Sequence, residues 1–266
     1  ILAGENGGGA FVLLYFLFIV FLGIPCVIAM ICIGRRGGHS PAGSTRALAV
    51  AEGRSENWKL LGWLAIGVAF LALTFFSVIA GWVLAYLPHS LSGGFVGITA
   101  EESVQLFDDI QVSTLGMTFW HGVFMVLTMW VVARGVLNGL EKTINIMMPT
   151  LFIILLILVL YAALAGDLSA ALRFMFVPDF SRVNNDVVLL ALGQAFFSLS
   201  VGGGGLMNYG SYLHKAASIP RNAFAIVGAN VSVDMLAGLA IFPIVFAFAM
   251  EPASGPGLIF VTLPVA

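Results

Sequence analysis

One carboxylate, Asp234, falls inside an apolar stretch long enough to cross a bilayer, in VGANVSVDMLAGLAIFP. An ionisable residue at that depth is costly, so by default it marks a functional site; the bland alternative is an acceptor capped by hydroxyls of a neighbouring helix. Asn230 precedes it by four residues and shares its helical face. Oxygen-bearing Asn and Asp side chains on one face suit a hard cation, and a carboxylate there can instead exchange a proton. A second polar set brackets four consecutive glycines, Gly202 to Gly205, with Gln194, Ser198 and Ser200 before them and Asn208 and Tyr209 after. These glycines interrupt residues 188–213, VLLALGQAFFSLSVGGGGLMNYGSYL, near the middle of an apolar run. Irregular backbone at membrane depth is tolerated where it faces protein or a water-filled cavity, and such breaks point to transporter binding sites. Freed carbonyls at the end of the first half-helix attract a cation, and freed N–H groups at the start of the second attract an anion. That arrangement suits capture of a zwitterion together with a cation; the alternative is a glycine surface for close helix packing.

Weaker signals lie elsewhere. Phe75, Phe76 and Trp82 share one apolar stretch, with Ala72 one turn before Phe76, so an aromatic beside a small residue can wall an apolar pocket or simply pack. His121, beside Trp120 near the outer end of a span, reads as interfacial, and His39, His89 and His214 lie in or next to loops. No HExxH, phosphate-binding loop or paired-cysteine metal spacing occurs, so nothing nominates an enzyme, and no nucleic-acid partner is expected. Cys26 and Cys32 point to different faces of one helix and read as apolar filler.

The elements that must position these groups follow from composition. The chain is 60% hydrophobic and 9% charged, where a soluble domain carries roughly a quarter charged residues. Windows of about 20 apolar residues span a bilayer, and six occur, at roughly 10–33, 61–87, 117–138, 147–165, 188–213 and 223–250. Strand-period alternation is absent from them, so the fold class is all-α, a polytopic transmembrane helical bundle forming a single membrane domain over 1–266. Arg35, Arg36, Arg46, Arg54 and Lys59 follow the first span, Arg134 and Lys142 the third, and Lys215 and Arg221 the fifth. The opposite loops hold Arg173 and Arg182 but collect Glu101, Glu102, Asp108, Asp109, Asp167, Asp179, Asp186 and Glu251. Because cytoplasmic loops are enriched in Lys and Arg, the basic loops are expected in the cytoplasm and residue 1 on the outer side of the inner (plasma) membrane. Between spans, residues 44–51 are expected to form one or two helical turns, 89–115 a loop with a short amphipathic helix, and 178–180 an outer turn. With Ile1 at the start and a new apolar run beginning at the end, the chain reads as truncated at both ends.

Several stretches together resemble the neurotransmitter:sodium symporter family, particularly its bacterial amino-acid transporters. They are AGENGGGAF at 3–11, GRRGG at 34–38, AGWVLAYL at 80–87, GLEK at 139–142, MPTLF at 148–152, VPDFS at 177–181, GQAFFSLSVGGGG at 193–205, YGSYL at 209–213, AGLAIFP at 237–243 and GPGLIFVTLP at 255–264. The resemblance implies the bacterial leucine-transporter-type inverted five-plus-five repeat, with this chain running from the end of helix one to the start of helix eight. It implies sodium-coupled symport of an amino acid by alternating access, with sodium, an amino-acid substrate and the lipid bilayer as partners. Ser198 and Asn230 are then the sodium ligands in this chain, and Ala72, Phe76, Phe197, Ser200, Gly202 and Gly203 the substrate contacts.

The chain also departs from the family's pattern. Phe76 stands where Tyr is usual, whose hydroxyl helps hold the substrate carboxylate, so weaker amino-acid binding is expected; Gly203 stands where a larger apolar residue is common, which implies an enlarged pocket for an apolar or aromatic amino acid. In chloride-dependent relatives, positions matching Tyr15, Gln194, Ser198 and Asn230 hold the anion together with a serine where this chain has Asp234. A fixed carboxylate repels chloride and takes over its charge, so chloride-independent coupling is expected. Met30 replaces a common Glu that accepts bonds from the unwound backbone. The competing reading is a non-transporting, receptor-like or scaffold protein of the same fold.

Overall fold

The computed structural model describes residues 2–248 and 257–265. Ile1, Glu251, Gly255, Pro256, Ala266 and the last two residues of the 223–250 stretch lie outside the described residues. Among the described residues every extended element is helical, and the single bridge is an antiparallel pair, Gly8 with Pro178. The principal helices are α1 (Gly9–Gly37), α2 (Pro41–Ala51), α3 (Lys59–Leu91), α4 (Ala100–Val112) and α5 (Thr114–Ala133). After them come α6 (Lys142–Ala165), α7 (Leu168–Phe176), α8 (Asn185–Ser198), α9 (Gly205–Tyr212) and α10 (Ile219–Ala247).

Five of these, α1, α3, α5, α6 and α10, are long and apolar enough to cross a membrane. The stretch 188–213 is two shorter helices, α8 and α9, with residues 199–204 between them. Helix α5 buries none of its residues, and its exposed side chains include Val126, Leu127, Met129 and Trp130. A helix apolar all round suits lipid or a protein interior. It ends at Ala133, before Gly135 at a φ of 83°, so the expected run to 138 is cut short by a left-handed residue.

The connections carry their own helices. Ser40 caps α2 by accepting from the Gly43 N–H at 3.3 Å, with Pro41 at the first position. Thr99 and Glu102 form a reciprocal capping box at the start of α4. Helix α7 has no counterpart among the expected elements. Asp167, whose Oδ1 accepts from the Ala170 N–H at 2.9 Å, supplies its start.

The chain forms two compact units. One comprises residues 6–73 and 176–234, and its core joins Tyr15, Ile19, Val27, Met30 and Ile31 to Ala195, Leu199, Leu206, Met207, Ile219, Ala223 and Val227. Within it α1 and α9 meet backbone to backbone: a Cβ at Gly34 would collide with the Met207 carbonyl, and one at Gly210 would lie 2.6 Å from the Ile31 carbonyl oxygen. The other unit comprises residues 1–5, 74–175 and 235–266. Its cores are Ala171, Met175 and Phe242, and an aromatic group in which Phe107 stacks on Phe260 at 5.2 Å with Trp82 edge-on to both. Tyr86 Oη donates to the Phe260 carbonyl at 2.8 Å, and the buried Ser103 hydroxyl to that of Val261 at 2.9 Å. No loop separates the units at three of their boundaries, because the chain passes between them inside α3, at the last residue of α7 and inside α10.

Candidate functional site

Helix α8 starts at Asn184, whose Oδ1 accepts from the Val187 N–H at 2.9 Å, and ends at Ser198. The backbone then leaves the helical path. Ser200 has a φ of 53°, and it is the one non-glycine residue in the left-handed region among the described residues. Gly202 and Gly204 follow at 91° and 71°, values that a side chain rarely adopts. Within the break, the N–H of Ser200 donates to the Phe197 carbonyl at 2.9 Å, that of Val201 to Phe196 at 2.8 Å, and that of Gly203 to Ser200 at 3.2 Å. Gly204 stands at the cap of α9 with no side chain to accept from the first-turn N–H groups, which leaves donors facing outward at this helix start.

Leu199, the first residue of the break, is buried against α1 at a π-helical turn, Ile19–Gly23. A Cβ at Gly23 would come within 2.5 Å of the Leu199 Cδ1. The extra residue in that turn opens the helix locally. No sequence pattern announces it. Met30 is buried in the same apolar core, where it accepts nothing, and three of the freed donors find carbonyls inside the break itself.

Three helices converge on Asp234. Tyr15, from α1, donates its hydroxyl to Asp234 Oδ2 and lies 3.0 Å from Ser198 Oγ. Ser198, on the last turn of α8, donates to the same carboxylate oxygen at 3.2 Å. Asn230 donates its Nδ2 both to Ser198 Oγ and to Asp234 Oδ2, the latter at 3.3 Å. Neutral donors therefore hold this carboxylate, and no Lys or Arg pairs with it among the described residues. The Asn230 Oδ1 takes no part in these bonds, which leaves a neutral oxygen beside a negative charge. Gln194, one turn before Ser198 and half-buried, makes none of them.

Phe197, Ser200 and Gly202 are exposed at the break and Gly203 is half-buried. Ala72, half-buried on α3, belongs to the same unit, whereas Phe76 falls in the other. A Cβ at Gly203 would meet only the Ser200 carbonyl, at an ordinary 3.5 Å, so the backbone there leaves room for a side chain. The described residues contain no group of three or more His, Cys, Asp or Glu arranged to hold a metal ion. The oxygen-bearing groups gathered here are instead two hydroxyls, an amide and one carboxylate.

The Sodium:neurotransmitter symporter family matches this chain over residues 1–101 and 100–266. A Bacillus subtilis protein named as an uncharacterized sodium-dependent transporter is 40% identical over 98% of this chain and 57% of its own length. A Haemophilus influenzae protein of the same description is 33% identical over 99% of this chain and 59% of its own. The crystal structure of MhsT in complex with L-phenylalanine superposes with a TM-score of 0.91 at 40% identity, covering 99% of this chain and 59% of that one. The chain thus spans less than two thirds of the length of each.

Proposed function

Since the chain belongs to the Sodium:neurotransmitter symporter family, and is on that ground and on its apolar helices part of a multi-pass membrane protein, we propose that the protein couples sodium entry to uptake of an amino acid by alternating access. The observation that carries the reading is the convergence of Tyr15, Ser198 and Asn230 on Asp234 beside the broken segment 199–204. Ser198 Oγ and Asn230 Oδ1 are hard, neutral oxygens of the kind a sodium ion takes. Two ligands are fewer than such an ion needs, so other groups, the substrate carboxylate among them, complete the shell. The sodium shell and the substrate then stabilise one another, which is the coupling.

The substrate's position follows from the break. Carbonyls ending α8 face the ammonium group, and the uncapped start of α9 favours negative charge. Phe197 and the open space at Gly203 favour an apolar or aromatic side chain, with Ala72, Ser200 and Gly202 of the same unit as the remaining contacts. MhsT, with L-phenylalanine bound, is a relative consistent with this substrate class. Asp234, held by neutral donors and unpaired with any cation among the described residues, supplies the fixed negative charge that makes chloride unnecessary. The basic loops lie in the cytoplasm.

The test is sodium-dependent binding of labelled amino acids to the full-length protein in detergent, with potassium replacing sodium in a parallel sample. Saturable binding that disappears in potassium is the expected result, and competition then ranks substrates. A second reading, a non-transporting protein of the same fold, has one observation in its favour: Met30 is buried among apolar side chains and offers the break no acceptor. Absence of binding for every amino acid in sodium would favour it.

A further inference from the structure

Arg35 and Arg36 occupy the last turn of α1, and Lys215 follows α9. Together with Cys32 and Ile219 they line an open pocket of about 520 Å³, within the size range of small-ligand sites. Its lining runs from apolar to basic. Cys32 lies one turn inside α1 and is exposed, Ile219 is the first residue of α10, and the cations sit beyond both at the helix ends. The pocket therefore lies at the level where two membrane-crossing helices leave the apolar region, on the side that carries the basic loops.

The three cations are not equivalent. Arg35 is half-buried and donates its Nη1 to the Ala217 carbonyl at 2.7 Å, which ties the connection between α9 and α10 to α1. Arg36 is shared with Glu52 at 2.7 Å, an exposed pair of little energetic consequence. Lys215 is exposed and has no acidic partner within ion-pair distance among the described residues. One acid against three cations leaves the pocket with net positive charge.

We propose that this pocket binds the phosphate headgroup of an anionic phospholipid, with Arg36 and Lys215 on the phosphate and the acyl chain leaving along the exposed Cys32 face of α1. The occupant is a lipid because the exposed Cys32 gives the pocket an apolar edge one turn inside a membrane-crossing helix, while the cations stand at the helix end. Basic pockets at the cytoplasmic ends of transmembrane helices recognise anionic headgroups in this way. The assignment rests on the membrane placement of α1 and α10 and is independent of what the protein transports. By tying α1 to the connection that follows the broken segment, a bound lipid would stabilise the unit that holds Asp234.

The experiment is native mass spectrometry of the full-length protein in detergent, titrated with phosphatidylglycerol, phosphatidylcholine or inorganic phosphate. Phosphatidylglycerol should bind about tenfold more tightly than phosphatidylcholine. Arg36→Gln combined with Lys215→Gln should weaken phosphatidylglycerol by roughly ten- to thirtyfold, the scale for removing two cations facing an anionic headgroup. Arg54→Gln with Lys142→Gln, which removes the same charge elsewhere on the basic side, should leave the preference intact, and Arg36→Lys with Lys215→Arg should retain it. An unchanged preference in the Gln double variant would overturn the proposal, as would equal loss in the Arg54 and Lys142 control. Displacement of the lipid by inorganic phosphate at equal concentration would assign the pocket to a free anion instead. If the Gln double variant does not fold, loss of binding in the charge-preserving pair still refutes a charge-based site.

Discussion

Asp234 is held by three neutral donors, and in the proposed coupling its charge balances the cation and excludes chloride. Replacing it with serine removes that charge and restores the hydroxyl found in chloride-dependent relatives. Uptake by Asp234→Ser is therefore expected to require chloride; an active variant indifferent to chloride would reject this role. Tyr15→Phe deletes one donor to Asp234 and a neighbour of Ser198. A hydrogen bond to a charged group contributes about 1.5 to 3 kcal/mol, so apparent sodium affinity should fall by roughly tenfold or more, measured as the sodium dependence of binding. Gly203 faces free space with only the Ser200 carbonyl at 3.5 Å. Gly203→Leu should fold normally and shift selectivity from aromatic towards smaller amino acids in competition assays. Asp234 and Asn230 are legible in sequence as a polar pair on one helical face. The bond of Asp234 to Tyr15, 219 residues away, and that of Asn230 to Ser198 follow no local spacing and depend on how α1, α8 and α10 come together.

At the scale of elements, two departures from regular helix meet. The break at 199–204 begins with buried Leu199, and α1 opposes it with its π-helical turn. Ser200 holds a left-handed backbone that costs a non-glycine residue about 1 kcal/mol or more. Ser200→Gly should raise the melting temperature in detergent, and Ser200→Val should lower it; the reverse order would show that the side chain, not the backbone, sets stability there. The contact between α1 and α9 admits no side chain at Gly34, and overpacking a core typically costs about 1 to 3 kcal/mol. Gly34→Ala is expected to destabilise the protein, and Gly38→Ala, where a Cβ meets open space, to do so only through its backbone φ of 67°. Helix α4 carries a pH dependence. The Thr99 backbone N–H, and after it the Thr99 hydroxyl, hold the Glu102 carboxyl below its ordinary range. Its stabilisation is complete above the ordinary Glu value of about 4.3 and is lost as pH falls through the lowered one. Hydrogen exchange at the start of α4 should accelerate below that range, and Glu102→Gln should remove the step.

For the whole molecule, the distribution of charge predicts orientation. In a Cys26→Ala, Cys32→Ala background, Lys215→Cys should react with an impermeant thiol reagent only from the cytoplasmic face and Asp179→Cys only from the outer face; the opposite pattern would invert the topology. Much was legible in the chain itself. Apolar length fixes which segments cross a membrane, because helices are the simplest structures that satisfy their own backbone in lipid. The consecutive glycines mark where a helix stops, and the collinear motifs identify the family, since both are properties of local sequence. Less local features escaped. Helix α7 is short and capped by Asp167, the π turn in α1 has no composition of its own, and the division into two units runs through α3 and α10 without a linker. Sequence determined the long apolar helices, their polar residues and the position of the break, because these depend on neighbours in the chain. Tertiary structure alone decided that Tyr15, Ser198 and Asn230 share one oxygen of Asp234 and that Leu199 seats in a π turn, because such contacts depend on how helices distant in sequence pack.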